Sequence, residues 1–589
     1  MTVCHIHNGS CFLNLDSGII GTSDDGRVLR LGGLQFEKNT ENIRIIALGG
    51  VGEIGKNLYV IEIDSDIFVV DAGLMHPENE MLGIDVVIPD ISYLIERSDR
   101  VKAIFLTHGH EENIGGVFYC LNKLSVPVYG TKLTLALLKE TLKQYGVNKK
   151  PDLREIHSKS VITFESTKVS FFKTNHSIPD SVGVSFKTSL GSIVCTGDFK
   201  FDQTPVLNQT SDIGEIAKIG NSGVLCLLSD SANAEKPGYT PSEAVVGGEI
   251  SDVMYNAENR VIIAVFASNF NRIQQVIDAA LQNGRKLAVS GKNISTILQL
   301  AMKLGYVTAD EDLFIPVQEV KKYPKREVAI LTGDNHGEPL AALTRIAKQG
   351  HKQLDIEKGD TVLIASSPIP GQELVYSKAV DLLTRAGAQV VFAQKRVHVS
   401  GHGCQEELKL MLNLLKPKYL IPVNGEYRMQ KAHSKLAEEI GMKRSDIFLI
   451  EKGDVVEFRG QNVKIGDKVH SGNILIDGLG VGDIGNIVLR DRRLLSQDGI
   501  LIVVITLDKK KKHLVSGPEI ITRGFVYVRE SEQLIVEATE LVRELVNEST
   551  ENAVVEWSAL KQAMRDALNQ FLYEKTKRKP MIIPIIMEV

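Results

Sequence analysis

Apolar residues run along this chain in two rhythms. Between Ile43 and Asp198 they form short blocks, each closed by a polar cluster, a pattern that predicts many strands and few helices. IRIIAL (43–48) ends at the glycine-rich run Gly49 to Gly55, and LYVIEI (58–63) and IFVVDAG (67–73) flank Asp64-Ser65-Asp66, a hairpin signal. VKAIFLT (101–107), PVYG (127–130), VSFFKTNH (169–176), VGVSFKT (182–188) and GSIVCTGD (191–198) continue the series, with a helix expected near 131–145. From about 243 the rhythm changes to strand then helix. VIIAVFA (261–267) precedes a helix from Asn271, KLAVSG (286–291) precedes one from Ile294, and VAIL, TVLIAS and AQVVFA follow. That alternation predicts a doubly wound parallel α/β unit. KYLIPVN (418–424) and a helix over 427–441 return to the first rhythm. The last part, from Ile474, reads as α+β: strands at ILIVVITL, GFVYV (524–528) and IIPII, with helices over 531–547 and 557–573.

Composition narrows the classes. A length of 589 residues sets a prior of about four domains at about 150 residues each. The 43% of hydrophobic and 24% of charged residues exclude extended disorder. A net charge of -5 excludes a histone-like binder, so any nucleic-acid contact has to come from a local basic groove. No apolar run approaches the roughly 20 residues of a membrane span, and no signal peptide is expected. Six cysteines, none in a CxxC pair, point to a reducing, cytoplasmic compartment. Residues 1–41 carry weak periodicity, and the spacing of Cys4, His5, His7 and Cys11 fits no zinc module, so a poorly ordered extension is expected there.

The chemistry concentrates at Leu106-Thr107-His108-Gly109-His110-Glu111-Glu112-Asn113-Ile114-Gly115-Gly116. Two histidines two apart on a tight turn can reach one metal ion. Asp71, His176 and Asp198 each end a predicted strand, and strand ends on one sheet edge converge. A lone HxH says little. HxH with an upstream Asp, a downstream His and a TGD motif is a specific signal. The other histidines and the cysteines Cys120, Cys195, Cys226 and Cys404 read as surface or small core residues.

These motifs, together with GGVGEIGKN (49–57), HSIPDS (176–181), TGDFKFD (196–202), LLSDS (227–231), SSPIPG (366–371), HVSGHG (398–403) and the ending KRKPMIIPIIMEV, resemble the metallo-β-lactamase superfamily in its β-CASP branch, and within it ribonuclease J. The resemblance runs from about 42 to 589. It implies a metallo-β-lactamase αβ/βα sandwich (42–242 and 403–455), an inserted Rossmann-like β-CASP domain (243–402), a linker (456–473) and a C-terminal α+β oligomerisation domain (474–589). It also implies 5′-to-3′ exonuclease and endonuclease action in mRNA decay and rRNA maturation, carried by two zinc ions. Transferred residue by residue, His108, His110, His176 and Asp198 would hold the first ion, with Asp71 supporting the site. His398, Val399, Ser400, Gly401 and His402 would bind the RNA 5′ phosphate, with Ser366 and Ser367 adding contacts. His402, Asp198 and Asp230 would serve catalysis. Asp230 matches an acid that orients an active-site group, and position 113 is its expected partner.

One departure changes the expectation. The family has Asp, His and His where this chain has Glu112, Asn113 and Asn424. An amide does not replace imidazole as a zinc donor, and the extra methylene of Glu112 displaces its carboxylate, leaving a weak ligand. One zinc per chain, rather than the family's two, is therefore expected. The chain also resembles a second ribonuclease J paralogue of some Firmicutes, whose metal site is damaged. The expected role is RNA binding, to a 5′-monophosphorylated end, within a homo-oligomer or a hetero-oligomer with an active paralogue. The alternative is a fully active zinc-dependent exo- and endoribonuclease. A small-molecule hydrolase is disfavoured by the β-CASP segment.

Overall fold

The computed structural model describes the chain except for residues 1–3, 8–9, 16–17, 23–27, 31–40, 79, 147–149, 208, 334–338, 352, 367–372, 393–396, 461, 479, 483, 510–512, 528–530 and 552–555. It divides into two compact units, one of residues 1–73 and 91–471, the other of 74–90 and 472–589.

In the first unit, two mixed sheets pack face to face. One has eight strands and includes Asn42–Gly49, Leu58–Ile63, Asp66–Val70 and Val101–Phe105. The other has six and includes Lys168–Lys173, Val182–Thr188, Gly191–Cys195, Val224–Asp230 and Tyr419–Val423. Alternate residues of the facing strands fill the space between them. Phe68, Phe105, Phe171 and Phe186 meet there, with Phe68–Phe186 centroids 5.5 Å apart and an edge-on Phe105–Phe186 contact at 5.7 Å. Helices cover the outer faces: Lys132–Gln144 lies in the core outside the first sheet, and Ile213–Asn221, Gln405–Leu415 and Tyr427–Glu439 pack with the second. Between Val261 and Val391 the chain builds its own six-stranded sheet, entirely parallel. Its strands Lys286–Ser290 and Thr361–Ile364 share no sheet with Val101–Phe105. This is the mixed α/β architecture expected from the two rhythms.

A buried guanidinium ties the parallel unit to its surroundings. Helix Phe270–Gln282 is buried nearly all round, including Arg272, which has no exposed surface. Arg272 donates to Glu243 Oε2 (3.0 Å), to Gln275 Oε1 (3.1 Å) and to the carbonyls of Ala365 (2.9 Å) and Val397. Glu243 also faces Lys200 at 3.4 Å.

Four expectations change. The segment 456–473 is not simply a linker, because Val455–Arg459 and Asn462–Ile465 extend the eight-stranded sheet beside Asn42–Gly49. Residues 74–90 leave the first unit, because Val86–Pro89 pairs with Asn473–Asp477 in the second. Of the strand expected at 524–528, residues 524–527 form none and Val528 lies outside the described residues; the strand is Leu514–Arg523, whose Gly517-Pro518 reads as a breaker, and it tolerates proline because it lies at a sheet edge. Where a poorly ordered extension is expected, Cys4–His7, Ser10–Leu15, Gly18–Thr22 and Val28–Arg30 form a four-stranded antiparallel meander.

In the second unit, helices Glu532–Glu551 and Trp557–Thr576 cover one face of the sheet Leu514–Arg523, Ile500–Leu507 and Met581–Glu588. On the other face, apolar side chains are left partly exposed among the described residues. Ile521, Ile502 and Ile583 form one cross-strand row, and Val504 and Ile585 form part of the next. Ile521, Ile583 and Ile585 are each close to 40% exposed. No described helix is long and apolar enough to cross a membrane.

Arg272→Met leaves Glu243 buried beside Lys200 alone. We expect it to lower the stability of the first unit by ~3–5 kcal/mol, read as a fall in the urea midpoint. Adding Glu243→Gln should recover part of the loss.

Candidate metal and phosphate site

Four chain reversals bring the site residues together. Asp71 follows strand Asp66–Val70 in the left-handed region (φ 61°), and Gly73 behind it leaves room for the 112–116 turn, since a Cβ there would lie 1.6 Å from the Glu112 carbonyl oxygen. His108 and His110 lie on the turn between strand Val101–Phe105 and the short helix Glu111–Ile114. Asp198 follows strand Gly191–Cys195. Asn424, also left-handed (φ 48°), follows Tyr419–Val423, and its N–H donates to the Gly50 carbonyl at 2.6 Å.

Hydrogen bonds fix which ring nitrogens face the centre. Thr107 Oγ1 donates its one proton to Asp71 Oδ2 (2.9 Å) and so accepts from His108 Nδ1 (3.0 Å). The Thr107 backbone N–H also donates to Asp71, at 2.8 Å. His176 Nδ1 donates to the Gly401 carbonyl at 2.7 Å. Both rings therefore turn Nε2 lone pairs inward. His110 Nδ1 lies 3.1 Å from each of those atoms and can donate to only one of them. Protonation does not resolve the crowding. Burial pushes His108 and His176 well below the usual imidazole range, and burial with the nearby His402 charge takes His110 to about 3. With the proton of His110 on Nε2, three inward lone pairs converge, an arrangement that suits a cation of imidazole preference, such as zinc. Asp198 Oδ2 lies 3.6 Å from His108 Nε2 and 3.9 Å from His176 Nε2. His176, Asp198 and His402 form a second such group.

On the far side the chemistry differs. Asn113 Nδ2 donates to Asp71 Oδ2 (2.8 Å), and Asn424 Nδ2 donates to Asp198 Oδ1 (2.8 Å) and Asp230 Oδ1 (3.3 Å). Amide protons thus occupy one oxygen of each of the three carboxylates, and because an amide is a poor zinc donor the residues here do not fit a second ion as they stand. The Oδ1 atoms of both asparagines are buried without a hydrogen-bond partner. Both residues line a cavity of about 10 Å³, room for about one water. Glu112 is exposed and belongs to neither cluster of possible ligands. Burial, chiefly, raises Asp71 to about 7 and Asp198 to about 8.

The loop 398–402 closes the site. His402 Nδ1 donates to Asp230 Oδ2 at 2.7 Å, so the partner of Asp230 is His402, with Asn424, rather than residue 113. Burial pulls His402 down, but the Asp230 and Asp198 carboxylates outweigh it and hold the imidazole at about 9. Asn233 Nδ2 donates to Ser400 Oγ and to the His402 carbonyl, both at 2.8 Å, and Thr240 Oγ1 donates to that carbonyl at 2.8 Å. Val399 is buried, and His398 Nδ1 is buried without a partner. Ser366 is buried and follows Ala365, whose carbonyl shares the Arg272 guanidinium with Val397. Ser367 lies outside the described residues. Sequence reasoning missed Arg272, Asn233 and Thr240, because their partners are remote in the chain.

Titration should separate the four histidines. In chelator-treated protein, NMR should show His402 titrating near pH 9 and His110 staying neutral down to about pH 3. The folded value of His402 lies above the unfolded ~6.5. Its pairing therefore stabilises fully below about pH 6.5 and fades as pH rises through 9. Asp230→Asn should remove the high titration.

Comparison with known proteins adds the following. Residues 51–218 match the profile of the metallo-beta-lactamase superfamily, and 258–383 that of the ribonuclease J beta-CASP domain. Residues 388–449 match the Zn-dependent metallo-hydrolase RNA specificity domain, and 487–589 the ribonuclease J C-terminal domain. Ribonuclease J2 of Bacillus subtilis (strain 168) is 87% identical over 553 residues, covering 94% of this chain and all of that protein. Ribonuclease J 2 of Staphylococcus epidermidis (strain ATCC 12228) is 50% identical over 554 residues, again covering 94% of this chain and all of the relative. A crystal structure of an Enterococcus faecalis V583 protein of unknown function shares the fold, with a TM-score of 0.51 and 16% identity, covering 71% of this chain and all of that one.

Proposed function

This chain belongs to the ribonuclease J family of hydrolytic nucleases, and from that premise we propose that it holds one zinc ion, cleaves RNA weakly and acts mainly as the RNA-binding partner of an active paralogue. The observation that carries the reading is the pair of amide–carboxylate contacts, Asn113 to Asp71 and Asn424 to Asp198 and Asp230. His108, His110, His176 and Asp198 would hold the single ion, which supplies Lewis acidity and lowers the pKa of a bound water. Around it the chain's own groups bind and orient. His402, kept protonated by Asp230, offers a cation and a donor beside His176 and Asp198. Ser400 Oγ accepts from Asn233 and from the His402 N–H (3.2 Å), which leaves its own proton for a phosphate oxygen. His398, Val399, Gly401 and Ser366 complete a pocket for a 5′-monophosphorylated end, and binding there does not require the lost ligands. A cytoplasmic location accords with four buried cysteines that form no disulfide. The partly exposed face around Ile502, Ile521, Ile583 and Ile585 supports association with a second ribonuclease J-type chain.

Metal analysis of the purified chain should give about one zinc, and digestion of a 5′-monophosphorylated RNA should be slow. Asn113→His with Asn424→His, with Glu112→Asp if needed, should raise the metal content towards two. The rate should rise by orders of magnitude at nearly unchanged RNA affinity, since about 1.36 kcal/mol off the barrier is tenfold. Full activity with two metals in the unaltered chain would reject this reading and favour the fully active nuclease. Separately, Ile583→Asp with Ile585→Asp should lower the mass seen by light scattering to that of a monomer; an unchanged mass would count against this face as the interface.

A further inference from the structure

The contact between His176 and Gly401 joins two parts of the site that the reading above assigns to different ligands. His176 carries a metal-facing Nε2, and its other nitrogen donates to the carbonyl of Gly401 at 2.7 Å. Gly401 sits between Ser400 and His402, in the middle of the phosphate loop. The fit is tight. A Cβ at 401 would lie 2.6 Å from His176 Cε1, 2.7 Å from Nδ1 and 3.1 Å from Ser177 Oγ. The backbone of Gly401 is not left-handed, so the absence of a side chain there serves this approach and not a turn.

The rest of the loop has little freedom to absorb a shift. Asn233 holds Ser400 and the His402 carbonyl, Thr240 holds that carbonyl again, and Asp230 holds the His402 ring. On the other side, Asn271 Nδ2 lies 3.4 Å from the carbonyl oxygens of His176 and Ser177, and Tyr306 donates to Asp180. The His176 ring therefore has its backbone pinned and its rotation set by one carbonyl of the phosphate loop. A partner that fixes ring orientation and tautomer contributes to metal affinity.

We propose that Gly401 is a positioning residue that couples the two ligands: a 5′ phosphate on loop 398–402 tightens zinc binding at His108, His110 and His176, and zinc tightens binding of the phosphorylated end. The proposal rests on the assignment of those three histidines to zinc and of the loop to the 5′ phosphate. Linkage makes the coupling equal in both directions.

The test is a binding cycle on the full chain. Zinc affinity is measured by competition with a chromophoric chelator, alone, with a cleavage-resistant 5′-monophosphorylated RNA, and with the same RNA bearing a 5′ hydroxyl. RNA affinity is measured on zinc-free and zinc-loaded protein. We expect about fivefold or more tightening of zinc by the phosphorylated RNA, the same factor for RNA by zinc, and a much smaller factor with the 5′ hydroxyl. Gly401→Ala, checked for folding by its melting curve, should weaken zinc about tenfold or more and abolish the coupling. Zinc binding by the unaltered chain that is indifferent to the 5′ phosphate would overturn the proposal, whatever becomes of the variant. So would a folded Gly401→Ala that keeps the full coupling, because the link would then run through direct phosphate–zinc contact. Failure of the unaltered chain to bind zinc at all would instead overturn the underlying metal assignment, and the coupling with it.

Discussion

Three carboxylates, Asp71, Asp198 and Asp230, line one small buried cavity, and their need for neutralising partners governs the site. Desolvation alone disfavours each charge, and proximity adds repulsion. The structure answers with donors from every side. Thr107 and Asn113 serve Asp71, Asn424 serves Asp198 and Asp230, and the protonated His402 serves Asp230. These donors sit just past different strands, on the short helix Glu111–Ile114 and on one inserted loop. Satisfying the acids therefore fixes how the strand ends meet, and the inward tilt of the imidazoles follows. The link to His108 is direct, because the Thr107 hydroxyl that donates to Asp71 is the group that orients the His108 ring.

The same logic operates one layer out. Arg272 is buried without exposure and would be costly to place there unless several acceptors converged on it. They do: the Glu243 carboxylate and the carbonyls of Ala365 and Val397. That convergence sets the start of loop 397–402 relative to residue 365, just past strand Thr361–Ile364. A neutral residue at 272 would leave those carbonyls and Glu243 to find other donors in a site closed to water.

Much of this was legible in the sequence. Periodicity separated the strand-rich part from the parallel α/β part, and HGHEENIGG with DAG, HSIPDS and TGD announced where strand ends would meet. Glycines in those motifs proved to be contacts: Gly73 against the Glu112 carbonyl and Gly109 against Leu137. What the sequence hid depends on long-range pairing. Nothing local in Val86–Pro89 says that it will pair with Asn473–Asp477. Proline in Leu514–Arg523 concealed an edge strand. Gln274 and Gln275 fall on the polar side of helix Phe270–Gln282 with Asn271 and Asp278, and Arg272 falls among apolar residues beside Val276 and Ala279, yet all three are buried because their partners arrive from residues 243, 308, 365 and 397. For the same reason position 113, the expected partner of Asp230, gives way to His402, which reaches it from the far end of the insertion.

Asparagine at 113 and 424 solves a specific problem, and alanine would not. If a cation is absent from between Asp71, Asp198 and Asp230, something else has to donate to them. An amide supplies two protons in the space of an imidazole and carries no charge that needs a counterion. Its weakness is the oxygen at the other end, and both Asn113 Oδ1 and Asn424 Oδ1 are left buried without a partner. An orphaned amide oxygen costs ~1–3 kcal/mol, and the small cavity beside them has room for a water to reduce that. An uncompensated buried carboxylate costs more, so the exchange favours the amide even with its oxygen unsatisfied. The left-handed backbone at 424 adds to the preference, because asparagine tolerates that region better than most side chains. The site thus reads as one that can fold around its acids without a second ion. The inward lone pairs of His108, His110 and His176 have no such internal substitute and still call for a cation.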